Sequence, residues 1–265
     1  MRLSVTVYSL RHYLTTGLLS VPGFIDVVAE LGGEGVDLGY YWRSSEERRA
    51  ARRRLDEPGL ELACYITSND FAKPSEEERR IEVEKVRRAI IEAKEMGARI
   101  LRVFAGSLRE GVKPGDAERW VVEALAAAAD YAADEGLILA VENHGAHFSR
   151  VGVVERILEA VGSQSLKLNF DTGNFARAGD DPVAAARRLG RWVVHVHAKD
   201  LDERGRPCAP GEGVLDFETI VRELSSAGFR GYYSVEYEGE RDQVLGVGIG
   251  LGYLKALRLK LSKLG

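Results

Sequence analysis

The chain has 265 residues, 45% of them apolar, with a formal net charge of −4. That is enough apolar material for a sizeable core at a length that suits one domain. The mild acidity excludes a nucleic-acid binder that works through bulk positive charge, and no stretch approaches the length of a membrane span. The N-terminal MRLSVTVYSL reads as a strand at 3–8 rather than as a leader. A second strand is expected at 35–39 (GVDLG). The arginines Arg48, Arg49 and Arg52 to Arg54 follow, flanked by glutamates and Asp56, and read as a solvated helix face. Strand 60–66 carries Cys64. The stretch 76–96 is the clearest helix, with Ile81, Val83, Val86, Ala89, Ile90 and Ala93 forming an apolar stripe and Gly97 as a C-terminal stop. Strand 98–104, an alanine-rich helix at 116–135 ended by Gly136, and strand 137–142 come next. Strands 166–171 and 192–197 follow, then a helix at 217–227 capped by Asp216 and stopped by Gly228, then strand 231–236.

Eight short β-type runs alternating with amphipathic helical stretches signal βα units and a parallel sheet. No linker or composition break marks a second domain, so residues 1–265 are expected to form one closed (β/α)₈ TIM barrel. An open doubly wound sheet is the alternative. It would show a Gly-rich phosphate loop after the first strand, and YSLRHYLTTG is not one. Only two cysteines, Cys64 and Cys208, are present, so no disulfide framework is expected and a soluble, cytoplasmic protein is.

Reactive groups of such barrels sit where strands end. Four consecutive expected strands end on Glu142, Asp171, His197 and Glu236. Side-chain alternation turns Leu166, Leu168 and Phe170 outward and Asn169 and Asp171 inward, and likewise places His195 with His197, Ser234 with Glu236, and Ala140 with Glu142 inside. Any one carboxylate at a strand end is more often a loop cap or ion-pair partner. Three together with a histidine need a cation to offset repulsion and desolvation. Arg102, which also points inward, is one candidate. A single arginine is a poor match for three carboxylates, so one divalent metal ion is preferred, and the mixed oxygen and imidazole donors suit Mn²⁺, Co²⁺, Mg²⁺ or Zn²⁺. His195, one layer deeper, reads as a hydrogen-bonded core histidine or a partner of the ligands. His144 and His147 follow strand 137–142, and His12, Tyr8, Tyr41, Trp42, Phe71, Phe104 and Phe175 lie at or after strand ends, where some should line a substrate pocket.

The motifs VENHG with Glu142, NFDTGNF with Asp171, HVHAKD with His197, PGEGVLDF at 210–217 and SVEYEG with Glu236 occur in this order. In them the chain resembles the sugar phosphate isomerase/epimerase group of the xylose-isomerase-like TIM barrels, which includes ketose 3-epimerases, inosose isomerases and dehydratases. The match is strong in the second half and rests mainly on rhythm in the first. The resemblance implies that Glu142, Asp171, His197 and Glu236 are metal ligands and that Glu142 and Glu236 are the catalytic acid/base pair. It implies an isomerase or epimerase of a small keto-sugar or polyol, acting through an enediolate held on the metal. The alternative on the same platform is a lyase or dehydratase of a keto-sugar or keto-inositol, 3-keto-glycoside elimination included. Substrate contacts are expected from Asn174, Lys199, His144, Arg102, Tyr8 and Phe104, with a small-molecule carbohydrate as the partner and a homo-oligomer as the form common among relatives.

The chain departs from two branches of the group. Asn174 stands where many members have histidine in D-x-x-H, and no histidine lies between His12 and His144, which argues against an abasic-site endonuclease. Ala198, Lys199 and Asp200 replace the G-E-x-x-R of the familiar ketulose 3-epimerases, so H-x-K-D looks more like the inositol-catabolism relatives. Lys199 is expected to contact substrate or to pair with Asp200 or a ligand carboxylate. A metal-free sugar-binding barrel is the reading from another class, and the four filled ligand positions argue against it.

Overall fold

A computed structural model describes residues 1–57 and 59–263. The barrel strands are β1 (Arg2–Thr6), β2 (Gly35–Gly39), β3 (Glu61–Ile66), β4 (Ile100–Phe104), β5 (Ile138–Glu142), β6 (Leu166–Asp171), β7 (Val193–Ala198) and β10 (Tyr232–Val235). Between the last two, β8 (Asp200–Leu201) and β9 (Pro207–Cys208) form a small antiparallel ladder. Each barrel strand pairs in parallel with its neighbours, and β1 pairs with both β2 and β10, which closes the ring. The helices are α1 (Arg11–Thr16), α2 (Val21–Glu30), α3 (Ser45–Asp56), α4 (Glu76–Glu95), α5 (Pro114–Asp134), α6 (Val151–Val161), α7 (Thr172–Arg177), α8 (Pro182–Leu189), α9 (Phe217–Ser226) and α10 (Gln243–Lys263). Among the described residues no helix is long and apolar enough to cross a membrane.

Local chemistry sets most boundaries. Ser20, Ser44, Ser75, Asp181 and Asp216 cap their helices by accepting backbone N–H groups. Gly97 and Gly136 take positive φ values just past α4 and α5, as a stop residue should. Two expectations fail. The first strand ends at Thr6 rather than at 8, because Val7–Leu10 winds into a 3₁₀ turn that carries Tyr8 to the barrel rim. On α4 the buried face is Glu82, Val86, Ala89, Ile90 and Ala93, while Ile81 is 56% exposed. A residue beside Glu82 lies about 100° round the helix, which carries Ile81 off the packed face. The arginines of α3 pair with acids of their own helix and of α4, as at Arg49–Glu46 and Arg48–Glu95, consistent with a solvated face.

Two pairing irregularities lie inside the barrel. Opposite Val36 and Asp37 the partner jumps from Leu62 to Cys64, and opposite Leu168 and Asn169 it jumps from Val193 to His195. Each leaves one residue unpaired and re-aims those that follow.

Candidate active site

The four residues expected at the mouth converge. Glu142 and Asp171 close β5 and β6, and His197 is the penultimate residue of β7. Glu236 lies one residue beyond β10 rather than within it, yet its N–H still donates to the Ala198 carbonyl, 3.1 Å away, so it continues the ladder. All four are buried, at 0–6% exposure. His197 Nδ1 lies 3.2 Å from Glu142 Oε2 and 3.2 Å from Glu236 Oε2. Each residue offers one donor atom, and the four atoms lie within 4.8 Å of one another.

Neighbouring strands hold these groups in place. Asp171 is the N-cap of α7: its Oδ1 accepts from the Asn174 N–H at 2.7 Å, which leaves Oδ2 facing the cluster. Asn143 grips the Asp171 backbone from β5's end, donating to its carbonyl at 3.0 Å and accepting from its N–H at 2.8 Å. Asn169, beside Glu142 in the sheet, donates to Glu142 Oε2 at 2.9 Å. Arg102 Nε lies 3.2 Å from the same oxygen, and its Nη1 donates to the Thr67 carbonyl.

Charge is unevenly balanced. Lys199, with its side chain 2% exposed, places Nζ 3.2 Å from Asp171 Oδ2, 3.2 Å from Glu236 Oε2 and 3.3 Å from Glu238 Oε1. Burial pushes the Glu142 carboxyl up, but His197 and Arg102 outweigh it and hold it at about 2. Burial acts likewise on Glu236, where Lys199 and His197 prevail and keep it well below the usual carboxylate range. Asp171 goes the other way: burial, with repulsion from Glu236 and Glu142, exceeds the pull of Lys199 and raises it well above its ordinary value. The three carboxylates therefore respond differently, with Glu142 and Glu236 held down and Asp171 pushed up. Asp171 Oδ2, Glu236 Oε2 and both ring nitrogens of His197 are buried without an aligned hydrogen-bond partner, Nδ1 being the one that faces Glu142 and Glu236. Carboxylate oxygens and an imidazole nitrogen left bare at one point are the donors a divalent cation takes.

The expected substrate contacts divide. Tyr8 is half-buried at the rim with the Arg11 guanidinium 4.6 Å from its ring centre, and burial, then Glu238, raises its phenol pKa. Phe104 lies over the Arg102 guanidinium and 4.5 Å from the exposed His144 ring. Asn174 Oδ1 accepts from Lys199 Nζ at 3.4 Å while its Nδ2 has no partner. Other candidates fall away from the cluster. His147 is bound to Glu118 of α5, Phe71 is buried in the core, and Phe175 packs on Phe170. Lys199 does not pair with Asp200. Asp200 instead accepts the N–H groups of Leu201, Gly211, Gly213 and Leu215, which pins the PGEGVL loop.

Sequence reasoning missed Asp37 and Glu238. Glu238 bridges Lys199 and Arg177. Asp37 is fully buried and lies 2.9 Å from His195 Nε2 and 3.4 Å from His197 Nε2. It occupies the centre of GVDLG, where an acid flanked by Val36 and Leu38 is a readable signal of an inward polar group.

Residues 25–257 match the family of xylose isomerase-like TIM barrels, and the chain belongs to that family. An inosose dehydratase of Geobacillus thermodenitrificans is 23% identical over 250 residues, 84% of this chain and 83% of the relative. A putative hydroxypyruvate isomerase of Streptomyces coelicolor is 27% identical over 234 residues, 79% of this chain and 82% of the relative. The solved structure of the probable 3-DHS dehydratase AsbF of Bacillus anthracis shares the fold, with a TM-score of 0.79 at 19% identity over 96% of this chain and 99% of that one.

Proposed function

We propose that the protein is a metal-dependent isomerase or epimerase of a small keto-sugar or polyol, with Glu142, Asp171, His197 and Glu236 as metal ligands. One observation carries this reading: four buried donors from four consecutive barrel strands meet within 4.8 Å, three of them with atoms lacking a hydrogen-bond partner. When bound, a divalent ion would polarise a substrate carbonyl and acidify the neighbouring C–H.

The chain's own residues would handle the proton. Arg102 and His197 keep Glu142 ionised, so it can accept one. The C–H bond breaks, its electron pair forms the enediolate double bond, and the carbonyl π pair moves to oxygen. Glu236, on the other side of His197 Nδ1, is the second carboxylate; ionised at rest, it would take up a proton from solvent and return it to carbon, while Glu142 gives up to solvent the one it removed. Return to the same carbon from the opposite face gives an epimer, and return to the neighbouring carbon an isomer. Asn174 Nδ2, His144, Tyr8 and Phe104 are the proposed hydroxyl contacts and pocket walls.

Lys199 favours a second reading. Its ammonium, 3.2 Å from Glu236 and 98% of its side-chain surface covered, could protonate a departing β-hydroxyl, which would make the reaction a dehydration of a keto-sugar or keto-inositol. The inosose dehydratase relative carries that chemistry in its name. Incubating Mn²⁺-loaded protein with a panel of ketoses and keto-inositols in D₂O, read by NMR, separates the two. A reversible epimer or isomer carrying solvent deuterium is expected; irreversible water loss with a new C=C bond would establish the lyase instead.

A further inference from the structure

We propose that Asp37 is a positioning residue for His197, holding the imidazole by Nε2 so that Nδ1 faces Glu142 and Glu236. The inference rests on the reading of His197 as a metal ligand. Asp37 and His197 are both fully buried. Among the described residues Asp37 has no lysine or arginine within ion-pair distance, and the ring nitrogens beside it are His195 Nε2 at 2.9 Å and His197 Nε2 at 3.4 Å, both at Oδ2. Burying a carboxylate costs free energy that apolar side chains of similar size would avoid, and here those two imidazoles are the groups that offset it.

Backbone geometry points the same way. The two pairing irregularities fall beside the groups that meet: one just before Asp37, the other just before His195. The unpaired residue is Ala63 of β3 in the first and Val194 of β7 in the second, so each slip shifts which residues of neighbouring strands stand side by side next to the cluster. The His195 and His197 rings stand edge to face, 5.5 Å apart at 82°, so both present Nε2 to one Asp37 oxygen. The His197 Nε2 contact with Asp37 Oδ2, at 3.4 Å, is an ion-pair distance without an aligned hydrogen bond; because Nδ1 and Nε2 lie on different edges of one rigid ring, drawing the second towards Asp37 aims the first. A carboxylate behind a ligating histidine selects which nitrogen is bare and limits ring rotation. His195 in turn steadies Asp37 by the 2.9 Å contact.

Asp37, His195 and His197 are also spaced closely enough to hold an ion themselves. The 2.9 Å contact is an ordinary hydrogen-bond length, and the proposal requires one ion per chain.

The test is calorimetric titration of metal-stripped protein with Mn²⁺, using wild type, Asp37→Asn and Asp37→Leu. Wild type should bind one ion. Asp37→Leu should bind about 10–100-fold more weakly, and Asp37→Asn, whose amide oxygen still accepts, should fall between them. The visible spectrum of Co²⁺-loaded Asp37→Asn should also differ from wild type, a change that loss of packing alone would not cause. Wild-type affinity and an unchanged Co²⁺ spectrum in Asp37→Asn would overturn the proposal, even with a lowered unfolding temperature. Two ions per wild-type chain would overturn it in favour of a second metal site. If Asp37→Leu does not fold, Asp37→Asn decides. Failure of wild type to bind Mn²⁺, Co²⁺, Mg²⁺ or Zn²⁺ would sink the metal reading itself, and this inference with it.

Discussion

The two ends of the barrel use the same kinds of charged residue in opposite ways. At the N-terminal end Glu34 accepts from the Leu3 N–H at 2.8 Å and pairs with Arg258 of α10 through both oxygens, at 2.8 and 2.9 Å. Arg2 pairs with Glu61 and reaches Tyr232, which ties the starts of β1, β3 and β10 together. These groups are partly solvated, one cation to each acid. At the C-terminal end four carboxylates (Asp37, Glu142, Asp171 and Glu236), two histidines, Lys199 and Arg102 are packed out of water with several atoms unpartnered. Partly exposed pairs contribute modestly to stability, whereas a buried cluster out of balance costs stability and suits a site that binds something charged. The fold permits the split because its strands all point the same way, so one end can be given to holding the barrel shut and the other to chemistry.

The sharpest way to break this comparison is His197→Ala. It should weaken Mn²⁺ binding by at least about 100-fold in calorimetry, while circular dichroism still reports a folded barrel. Binding that survives would remove the mouth's special status.

Helix α10 carries the comparison along its own length, since it starts at the mouth and runs to the other end. A Cβ at Gly246 would meet the Tyr237 ring at 2.4 Å, while one at Gly252 meets nothing within 4 Å. Gly246→Ala should destabilise by about 1–3 kcal/mol in urea unfolding. Gly252→Ala should stabilise by about 0.5–1 kcal/mol, because it only removes backbone freedom from the unfolded chain. Equal effects at both positions would show that α10 is not pressed against the mouth.

Asp171→Asn tests the cost of the mouth directly. Asn keeps the N-cap of α7 and removes the carboxylate that burial and its neighbours hold well above 3.8. A carboxyl whose folded value is raised penalises folding once the pH rises above its unfolded value. The metal-free variant should therefore melt roughly 2–4 °C higher than wild type near pH 8, with the gain shrinking as the pH falls towards 4. A lower melting point at pH 8 would contradict the charge imbalance.

Glu34→Gln tests the other end and has the smallest expected effect. Glu34 is held below its ordinary 4.5: burial opposes this, and Arg258 and the Leu3 N–H prevail. Its contribution is therefore present above pH 4.5 and is lost as the pH drops through the lower, folded value. The variant should lose about 0.5–1 kcal/mol at pH 7, with solvent screening allowed for, and nothing near pH 2. A pH-independent loss would assign the effect to packing.

Much of this was legible beforehand, and the reasons are physical. Period-2 alternation in LKLNFD and WVVHVH marks an inward row, so Asp171 and His197 could be aimed at the mouth from local pattern. Helix stops at Gly97, Gly136 and Gly228 need only a positive φ, which is a local property. Where two faces compete, local pattern was insufficient: Ile81 looked like core and is solvent-facing, because Glu82 turns inward to meet Lys73 and the Asp70 N–H.

The sequence alone determined that polar groups would end four consecutive strands, since strand order and alternation are written along the chain. Only the tertiary structure decided which strangers in sequence meet them. Asp37 reaches His195 across 158 residues, Lys199 chooses Asp171 and Glu236 over adjacent Asp200, and Arg102 is brought against Glu142. Closure of the ring sets those encounters, through the pairing of β1 with β10 and the slips beside Asp37 and His195, and no local pattern encodes them.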